Sequence, residues 1–259
     1  GNRGGGISVF RVPASVGAGE MTQVEPVGGG DASLFEAPGS VAVDARGPGR
    51  YEVLACNNDG HTVTRHRLDA SGALVDGEVV ARRLLDIPDG LTLSHARRWL
   101  AVSNHNGHCV FMYDQSELGE DAEPVGILRG AHYPHGVRFA GGDSYLIVAD
   151  AGAPHVHVFL PPGDGWEGVA YPAATITVMD DETFLRGRHN RQEGGPKGID
   201  LDPRTHVLAV TSEYQPLAFF DLGAALEARG RADTLVRCEL DVLGEKAAAK
   251  AAAAAESAA

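Results

Sequence analysis

The sequence predicts an all-β protein built from repeated antiparallel sheets, and three observations support this prediction. A short phrase occurs four times: proline, a variable residue, a small residue, and then two apolar residues that flank one residue of any type. Short β-branched runs bounded by Gly, Pro, Asn and Asp follow each copy, as is typical of strands. Tight-turn pairs such as Asp59-Gly60 and Asn106-Gly107 are typical of hairpins. The four phrases begin at Pro38, Pro88, Pro134 and Pro196.

Each phrase starts a unit of four predicted strands. The phrase itself is the first strand, where a leading proline removes no ladder hydrogen bond. The second strands are predicted at 51–57, 98–104, 144–150 and 206–212, the third at 62–64, 109–111, 156–159 and 217–220, and weaker fourth strands at positions such as 78–81 and 174–178. Four-stranded antiparallel units that recur every few tens of residues indicate a β-propeller. A β-sandwich is the alternative, but it does not require the same phrase in every unit.

The two ends of the chain do not supply whole units. Residues 4–12 match the third strand of a blade and residues 21–27 its fourth. We therefore predict a propeller domain over residues 1–243, with four complete blades and an outer half-blade, as part of a ring of five to seven blades. A ring closes by joining its first and last blades, so the inner strands of the half-blade are expected to be missing unless the ring closes imperfectly. The alanine-rich residues 244–259 are predicted to form a helical or disordered tail.

The composition indicates which binding partners are disfavoured and where in the cell the protein is expected. The formal net charge is -13 over 259 residues, which disfavours nucleic acid and anionic membranes as partners. The sequence shows no apolar stretch of membrane-spanning length and no recognisable signal peptide, so a cytoplasmic location is expected. Cys56, Cys109 and Cys238 lack metal-site spacing and are expected to be small buried hydrophobic residues.

The variable position of the phrase is the first part of a candidate functional site. In a blade, the first strand lines the central channel and the second runs back beside it. The start of the first strand and the end of the second therefore lie on one face, and loops placed there by a rigid scaffold commonly carry function. The variable positions hold Gly39, Asp89, His135 and Lys197, and the second strands end at Asn57, Asn104, Asp150 and Ser212. Both sets are expected to meet at one mouth of the channel.

The residues at the variable positions suggest a site for a small oxygen-rich or anionic molecule. Asp89 and His135 are candidate ligands of a divalent metal ion such as Ca²⁺, Mg²⁺ or Zn²⁺. His135 or Asp150 is the candidate general base. Lys197 is a candidate substrate contact that binds an anionic group or, if desolvated, acts as a base. An ion pair between Asp89 and Lys197 is the alternative.

The polar residues that end the second strands are the second part of the site. Asn57, Asn104 and Ser212 are candidate substrate contacts because they are expected at the same mouth. Asx residues before tight turns also form purely local hydrogen bonds. A local structural role for these residues and for Asp150 therefore remains open.

A long charged segment separates the third and fourth units. Residues 179–195 contain Arg186, Arg188 and Arg191 and end in Gly194-Gly195. A segment this long in a compact domain is more often a lid or binding loop than a simple connection. Arg186, Arg188 and Arg191 are therefore candidates to bind a carboxylate or phosphate of the substrate through bidentate contacts. The alternative is a solvated insertion whose acidic residues balance its arginines.

The phrase Pro-x-Gly followed by an apolar–any–apolar strand, a second strand ending in Asn or Asp, and a glycine turn resembles NHL and YVTN repeat propellers. It is also similar to the gluconolactonase-type, senescence-marker-like hydrolases, and the resemblance covers most of residues 35–241. In those enzymes a metal at the channel mouth is held partly by Asn or Asp just before the strand-one glycine, a position that Asp89 matches. His135 and Lys197 depart from that pattern. His135 instead resembles a histidine of propeller lyases such as peptide-amidating lyase and streptogramin lyase.

The residues and the resemblance together predict a small-molecule-binding propeller, with metal-assisted hydrolysis of an ester or lactone as the favoured chemistry. A divalent ion near Asp89 and His135 would polarise the carbonyl group or lower the pKa of a bound water. The alternatives are a non-catalytic propeller that binds a protein or peptide over the same face, and a metal-dependent propeller lyase.

Overall fold

The computed structural model describes residue 1 and residues 6–10, 26–28 and 32–227. Within these ranges the chain forms one two-stranded sheet and four larger sheets that follow one another along the sequence. Each larger sheet begins with a strand from one of the four phrases. The prediction of β-propeller blades is therefore confirmed.

The outer half-blade predicted at the N-terminus is present as a small antiparallel sheet. It pairs β1 (Val9–Phe10) with β2 (Pro26–Gly28). A short 3-10 helix at Ala32–Leu34 leads into the first full blade. That blade contains β3 (Pro38–Gly47), β4 (Arg50–Asn57), β5 (Thr62–Leu68) and β6 (Leu74–Ala81), hydrogen-bonded in chain order.

The second and third blades have the same antiparallel plan. The second blade contains β7 (Pro88–Leu93), β8 (Trp99–Asn104), β9 (Cys109–Asp114) and β10 (Gly126–Arg129), with a 3-10 helix at Gln115–Glu117 before its last strand. The following segment forms β11 (Pro134–Ala140), β12 (Tyr145–Asp150), β13 (His155–Phe159), β14 (Gly168–Ala170) and β15 (Pro172–Thr177). Four of these five strands make the third blade, and β14 is the exception.

Strand β14 leaves the third blade and pairs in parallel with β10, the fourth strand of the second blade. Gly126 lies opposite Gly168 in this pairing. A Cβ at residue 126 would overlap the carbonyl group of Trp166, so the close approach requires glycine there. Trp166 is 2% exposed and packs into the core between the two blades. The sequence gives no sign of this connection between blades.

The fourth blade follows helix α1 (Asp181–Gly187), which lies in the long charged segment. The blade contains β16 (Gly198–Leu201), β17 (Val207–Thr211) and β18 (Ala218–Asp221), and α2 (Leu222–Glu227) comes next. Residues 228–259, with the predicted boundary at 243 and the predicted tail, lie outside the described residues. Neither α1 nor α2 has the length and apolarity needed to cross a membrane.

The first strands of neighbouring blades lie side by side. Strand β3 contacts β7, β7 contacts β11, and β11 contacts β16. The small residue of the phrase makes this possible. A Cβ at Gly136 would lie 2.6 Å from the carbonyl oxygen of Lys197, and the Gly136 amide donates to that oxygen at 2.8 Å. A Cβ at Gly90 would overlap the carbonyl of His135 in the same way. The phrase therefore packs innermost strands radially around one axis.

Apolar side chains fill the space between neighbouring blades. Because an internal blade is covered on both faces, its strands are buried along their length, as in β8, where every residue is buried. Within the described ranges the buried apolar residues form four clusters, whose members include Leu54, Leu100 and Phe111 in the first, Met112, Leu146 and Phe159 in the second, Ile147, Leu208 and Leu222 in the third, and Ile7, Phe35 and Val53 in the fourth. Cys56 and Cys109 are buried free thiols, as predicted, and Cys238 lies outside the described residues.

Candidate functional site

A cavity of about 320 Å³ opens where the first strands begin. The structure brings Asp89, His135 and Lys197 together in its wall, although they come from three different blades. The full lining is Ala37, Asn58, Asp59, Ile87, Asp89, His105, His135, Gln192, Glu193 and Lys197. The convergence expected from the repeated phrase is therefore present at this mouth.

Asp89 and His135 form a charged hydrogen bond at the centre of the cavity. His135 Nε2 lies 3.0 Å from Asp89 Oδ2, and the Asp89 side chain is 8% exposed while that of His135 is 22% exposed. Burial by itself would raise the pKa of Asp89. Hydrogen bonds from His135 and Asn58, together with the charges of His135 and His105, outweigh burial and lower that pKa to about 2. Asp89 is therefore an anion at neutral pH.

His105 is a second imidazole beside the same carboxylate. Its Nδ1 lies 3.9 Å from Asp89 Oδ2 and 3.3 Å from the carbonyl oxygen of Pro134. The rings of His105 and His135 meet edge to face with centroids 6.0 Å apart. Burial lowers the pKa of His105, and the attraction of Asp89 only partly offsets this. His105 is therefore held as a neutral imidazole at neutral pH.

Lys197 enters the cavity from the start of the fourth blade. Its ammonium group forms an ion pair with Glu193, which also lines the cavity. The alternative pairing of Lys197 with Asp89 is thus not the one observed. Gln192, the residue before Glu193, donates from Nε2 to Asn106 Oδ1 at 3.0 Å. The long charged segment therefore contributes an amide and a carboxylate to the site.

Ala37, Asn58 and Asp59 form the side of the cavity contributed by the first blade, and Gly39 lies outside the lining. A Cβ at residue 39 would lie 2.8 Å from Asp89 Oδ1 and would overlap Asn58 Oδ1. The Asn58 and Asp89 side chains therefore pack closely against Gly39, and this packing requires glycine at the variable position of the first blade. Asn58 is 8% exposed, and its Oδ1 atom is buried without a hydrogen-bond partner.

The residues that end the second strands lie outside the cavity lining. Asn57 donates from Nδ2 to the hydroxyls of Thr62 and Thr64, both at 3.2 Å. Asn104 accepts from the Asp86 amide at 2.5 Å and donates to the Leu84 carbonyl at 3.0 Å. These two side chains hold local loops, which matches the alternative of local hydrogen bonding. Ser212 is partly buried and its Oγ atom has no hydrogen-bond partner.

Asp150 is fully buried and saturated with hydrogen bonds. It accepts from the amides of His132, Tyr133 and Gly152 at 2.7, 2.9 and 3.0 Å. His157 Nε2 lies 3.2 Å from Oδ2 of the same carboxylate. Burial would raise the pKa of Asp150, but the hydrogen bonds from His132 and His157 and their charges lower it far below its usual value. This geometry gives Asp150 a structural role, because it holds the segment that leads into the third blade and does not line the cavity.

The arginines of the charged segment also lie outside the cavity lining. The guanidinium of Arg186 lies 5.8 Å from the centre of the Tyr214 ring, and that of Arg188 lies 5.4 Å from the centre of the Phe184 ring. Phe184 is 7% exposed, so the side of α1 that carries it is buried. In this arrangement the segment reaches the site through Gln192 and Glu193 and not through its arginines.

Sequence reasoning missed several residues of the lining. Asn58 and His105 each follow, by one position, the second-strand residue that was predicted to face the mouth. Successive strand residues point to opposite sides, so an error of one position exchanges a cavity residue for a structural one. The backbone amides of Asn58 and His105 donate to the carbonyls of Ala37 and Ile87, both at 3.1 Å, just before the first strand of the same blade.

The side chains of the cavity do not provide enough ligands for a metal ion bound by the protein. Within the part of the chain that the structure describes, no three His, Cys, Asp or Glu side chains are grouped to bind one ion. Asp89 and His135 provide two donors, whereas Zn²⁺ requires at least three protein ligands and Ca²⁺ takes six or more oxygens. The residues present therefore do not fit the predicted metal ion.

The fold defines the chain as a β-propeller, and comparisons with known proteins agree. No protein-family model matches the chain. It is similar to hydrazine synthase of Kuenenia stuttgartiensis, with 15% identity, a TM-score of 0.50, and coverage of 73% of this chain and 47% of the other. It is also similar to a chain of a nidogen/laminin complex, with 14% identity, a TM-score of 0.55, and coverage of 78% and 65%.

A further similar structure is the periplasmic gluconolactonase PpgL of Pseudomonas aeruginosa. It shares 14% identity with a TM-score of 0.55, over 78% of this chain and 58% of that enzyme. In all three comparisons the chain spans less than two thirds of the other chain's length. At such identities the similarity shows the fold alone. The resemblance to lactonase-type propellers is therefore confirmed at the level of the fold.

Proposed function

We propose that the protein binds a small ester or lactone at the channel mouth and hydrolyses it by general-base catalysis, with His135 as the base. The observation that carries the proposal is the hydrogen bond of 3.0 Å between His135 Nε2 and Asp89 Oδ2 inside the cavity. A carboxylate that orients an imidazole is a recurring arrangement for activating a nucleophile. The lactonase-like fold supports testing lactones first.

The Asp89 carboxylate determines which nitrogen of His135 acts. An ionised carboxylate only accepts hydrogen bonds, so Nε2 carries the proton that faces Asp89. The Nδ1 atom of His135 is then left with a lone pair that takes a proton from water. Because the pKa of Asp89 is about 2, the carboxylate stays charged at neutral pH and stabilises the imidazolium that forms.

The proposed reaction proceeds in two proton transfers. His135 Nδ1 removes a proton from a water molecule as its oxygen bonds to the carbonyl carbon of the substrate. The carbonyl oxygen becomes an oxyanion, and Lys197 in the same cavity supplies positive charge close to it. The C–O bond of the ester then breaks, and the imidazolium returns its proton to the leaving alkoxide. A lactone would give a hydroxy acid.

The proposal is tested with the full chain, assayed with γ-butyrolactone and 4-nitrophenyl acetate at neutral pH in a metal chelator. His135→Gln and Asp89→Asn are expected to lower kcat/KM by about a hundredfold or more, since general-base catalysis contributes that much. His95→Gln and Asp164→Asn are matched controls, because both residues are exposed and lie away from the cavity lining. Equal activity of all four variants, or activity that requires an added divalent ion, would contradict the proposal.

A further inference from the structure

His105 is the imidazole of the cavity that the proposed reaction does not use. It follows β8, and its backbone amide donates to the carbonyl of Ile87 at 3.1 Å. The residue is 7% exposed and lines the cavity. The rings of Tyr133 and His135 lie beside its ring, with centroids 5.2 and 6.0 Å away. The imidazole is therefore held in place by its surroundings before a ligand enters.

The single hydrogen of the His105 ring is on Nδ1. This atom lies 3.3 Å from the carbonyl oxygen of Pro134 and 3.9 Å from Asp89 Oδ2. A carbonyl oxygen and an ionised carboxylate only accept hydrogen bonds, so Nδ1 is the donor. Because burial lowers the pKa of His105, the ring is neutral and carries no second hydrogen. The Nε2 atom therefore holds a lone pair.

The Nε2 atom of His105 is an acceptor that the cavity can reach. It makes no hydrogen bond within the described residues, yet it is not one of the polar atoms there that are both buried and unpaired. It therefore keeps exposed surface, and because His105 lines the cavity, this surface is open to the contents of the cavity. Acceptors on residues this buried normally receive a hydrogen bond from the protein, from water or from a ligand. The donor for Nε2 has to come from the cavity.

The charges of the cavity disfavour an anionic ligand. Lys197 is paired with Glu193, and Asp89 is paired with His135. Asp59, which is exposed and lines the cavity, adds a further carboxylate that only accepts hydrogen bonds. The formal net charge of the whole chain is -13. An approaching anion is therefore repelled both locally and by the overall field.

We propose that His105 is a specificity-determining residue whose Nε2 atom accepts a hydrogen bond from a hydroxyl group of the ligand, so that the cavity selects uncharged hydroxylated ligands against anionic ligands and ligands without a donor. This inference rests on the proposed role of the cavity as the ligand site. It gives the two imidazoles separate tasks, since His135 transfers a proton and His105 recognises the substrate. Among lactones it favours a hydroxylactone, in place of the anionic ligand expected from Lys197 and the arginines.

Three probes that share a tetrahydrofuran ring test the inference. 3-Hydroxytetrahydrofuran presents a donor, 3-methoxytetrahydrofuran has none, and tetrahydrofuran-3-carboxylate is an anion. Binding to the full chain is measured by ligand-observed NMR titration at about pH 8, where a histidine of lowered pKa is neutral. The wild type is expected to bind the hydroxyl compound about tenfold or more tightly than either of the others, because an unpaired polar group in a site penalises a ligand that cannot satisfy it.

Two variants separate recognition by His105 from a merely structural role. His105→Asn places an amide nitrogen where Nδ1 was, so it keeps a donor to Pro134 and deletes the Nε2 acceptor. His105→Gln places an amide oxygen where Nε2 was, so it keeps the acceptor and loses the donor to Pro134. The preference for the hydroxyl compound is expected to disappear in His105→Asn and to remain in His105→Gln. A purely structural role of the bond to Pro134 predicts the opposite order.

The exposed His95 supplies the control, since His95→Asn should bind the three probes as the wild type does. Melting curves confirm that the variants are folded, and if one variant of His105 fails to fold, the other still decides the matter. A preference that survives in folded His105→Asn or is lost in folded His105→Gln would overturn the inference. Equal binding of the three probes by the wild type, or no binding of any, would overturn it as well.

Failure of this inference is distinguishable from failure of the proposed function. The three probes are not esters, so their binding does not depend on hydrolysis. Selective binding of 3-hydroxytetrahydrofuran without hydrolysis of any ester would overturn the proposed reaction and leave the role of His105 intact. Hydrolysis of γ-butyrolactone without selective binding would do the reverse.

Discussion

His135 Nε2 and Asp89 Oδ2 lie 3.0 Å apart although the two residues occupy the same position of the phrase in neighbouring blades. The contact exists because glycines at the next position let the first strands approach closely. A repeated scaffold thus places two different side chains against each other. The resulting pair is the centre of the proposed chemistry, and it can be tested as a pair.

Asp89 and His135 are expected to act as one unit. Asp89→Asn and His135→Gln should each lower kcat/KM by about a hundredfold or more, and the double variant should lose little beyond the more severe single variant. Residues that act together in catalysis show such non-additive losses. Steady-state kinetics of the four proteins in a double-mutant cycle makes the measurement. Losses that multiply would mean that the two side chains act independently.

Asp150 is expected to matter for stability. Asp150→Ala would leave three backbone amides and the buried His157 without their acceptor. Removing one partner from a buried charged network typically costs about 3–5 kcal/mol. Urea denaturation should show this loss, while Asp164→Ala at an exposed position should change the free energy of unfolding by about 0.5 kcal/mol or less. An Asp150→Ala protein of normal stability would argue against the structural role.

The stability of the protein should depend on Asp89 at low pH. The pKa of Asp89 is lowered from 3.8 to about 2 in the folded state, so the unfolded state binds its proton first. Stability from this group is fully present above pH 4 and is lost as the pH falls towards 2, by about 2 kcal/mol in all. Denaturation series between pH 2 and 5 should show a shallower slope for Asp89→Asn than for the wild type. The same slope in both proteins would contradict the assignment.

The charged segment should affect binding through Gln192 and Glu193. Replacing both by alanine removes two lining side chains and the ion-pair partner of Lys197, so KM should rise several-fold. Arg186→Ala and Arg188→Ala should leave KM unchanged, because these side chains lie over Tyr214 and Phe184. Kinetics with γ-butyrolactone compares the three variants. A larger effect of either arginine would restore the predicted role in substrate binding.

The blades and the meeting of Asp89, His135 and Lys197 could be predicted because both follow from a repeat. A fixed phrase with one variable residue marks equivalent positions, and equivalent positions of a radial fold lie around one axis. The sequence alone therefore predicted that these three side chains meet at one end of the channel. It could also place the long segment near the mouth, since the segment leads directly into a first strand.

The sequence could not show which residue at the end of each second strand faces the cavity. The pairing of β3 with β4 and of β7 with β8 contains irregularities just after Pro38 and Pro88. Such a bulge shifts the register of one strand against the other, so alternation along the sequence does not show that Asn58 and not Asn57 faces the cavity. The pairing of Lys197 with Glu193 depends on the course of the charged segment, which carries no repeat.

The cross-blade strand β14 also sets an order for assembly. Residues 168–170 complete the sheet that begins at Pro88, so the edge of the second blade stays open until the chain has been synthesised well into the third. An open edge on a nascent chain is a site for mispairing. The second and third blades, which supply Asp89 and His135, should therefore mature on the ribosome as a single folding unit, with the hydrogen bond between these two residues formed inside it.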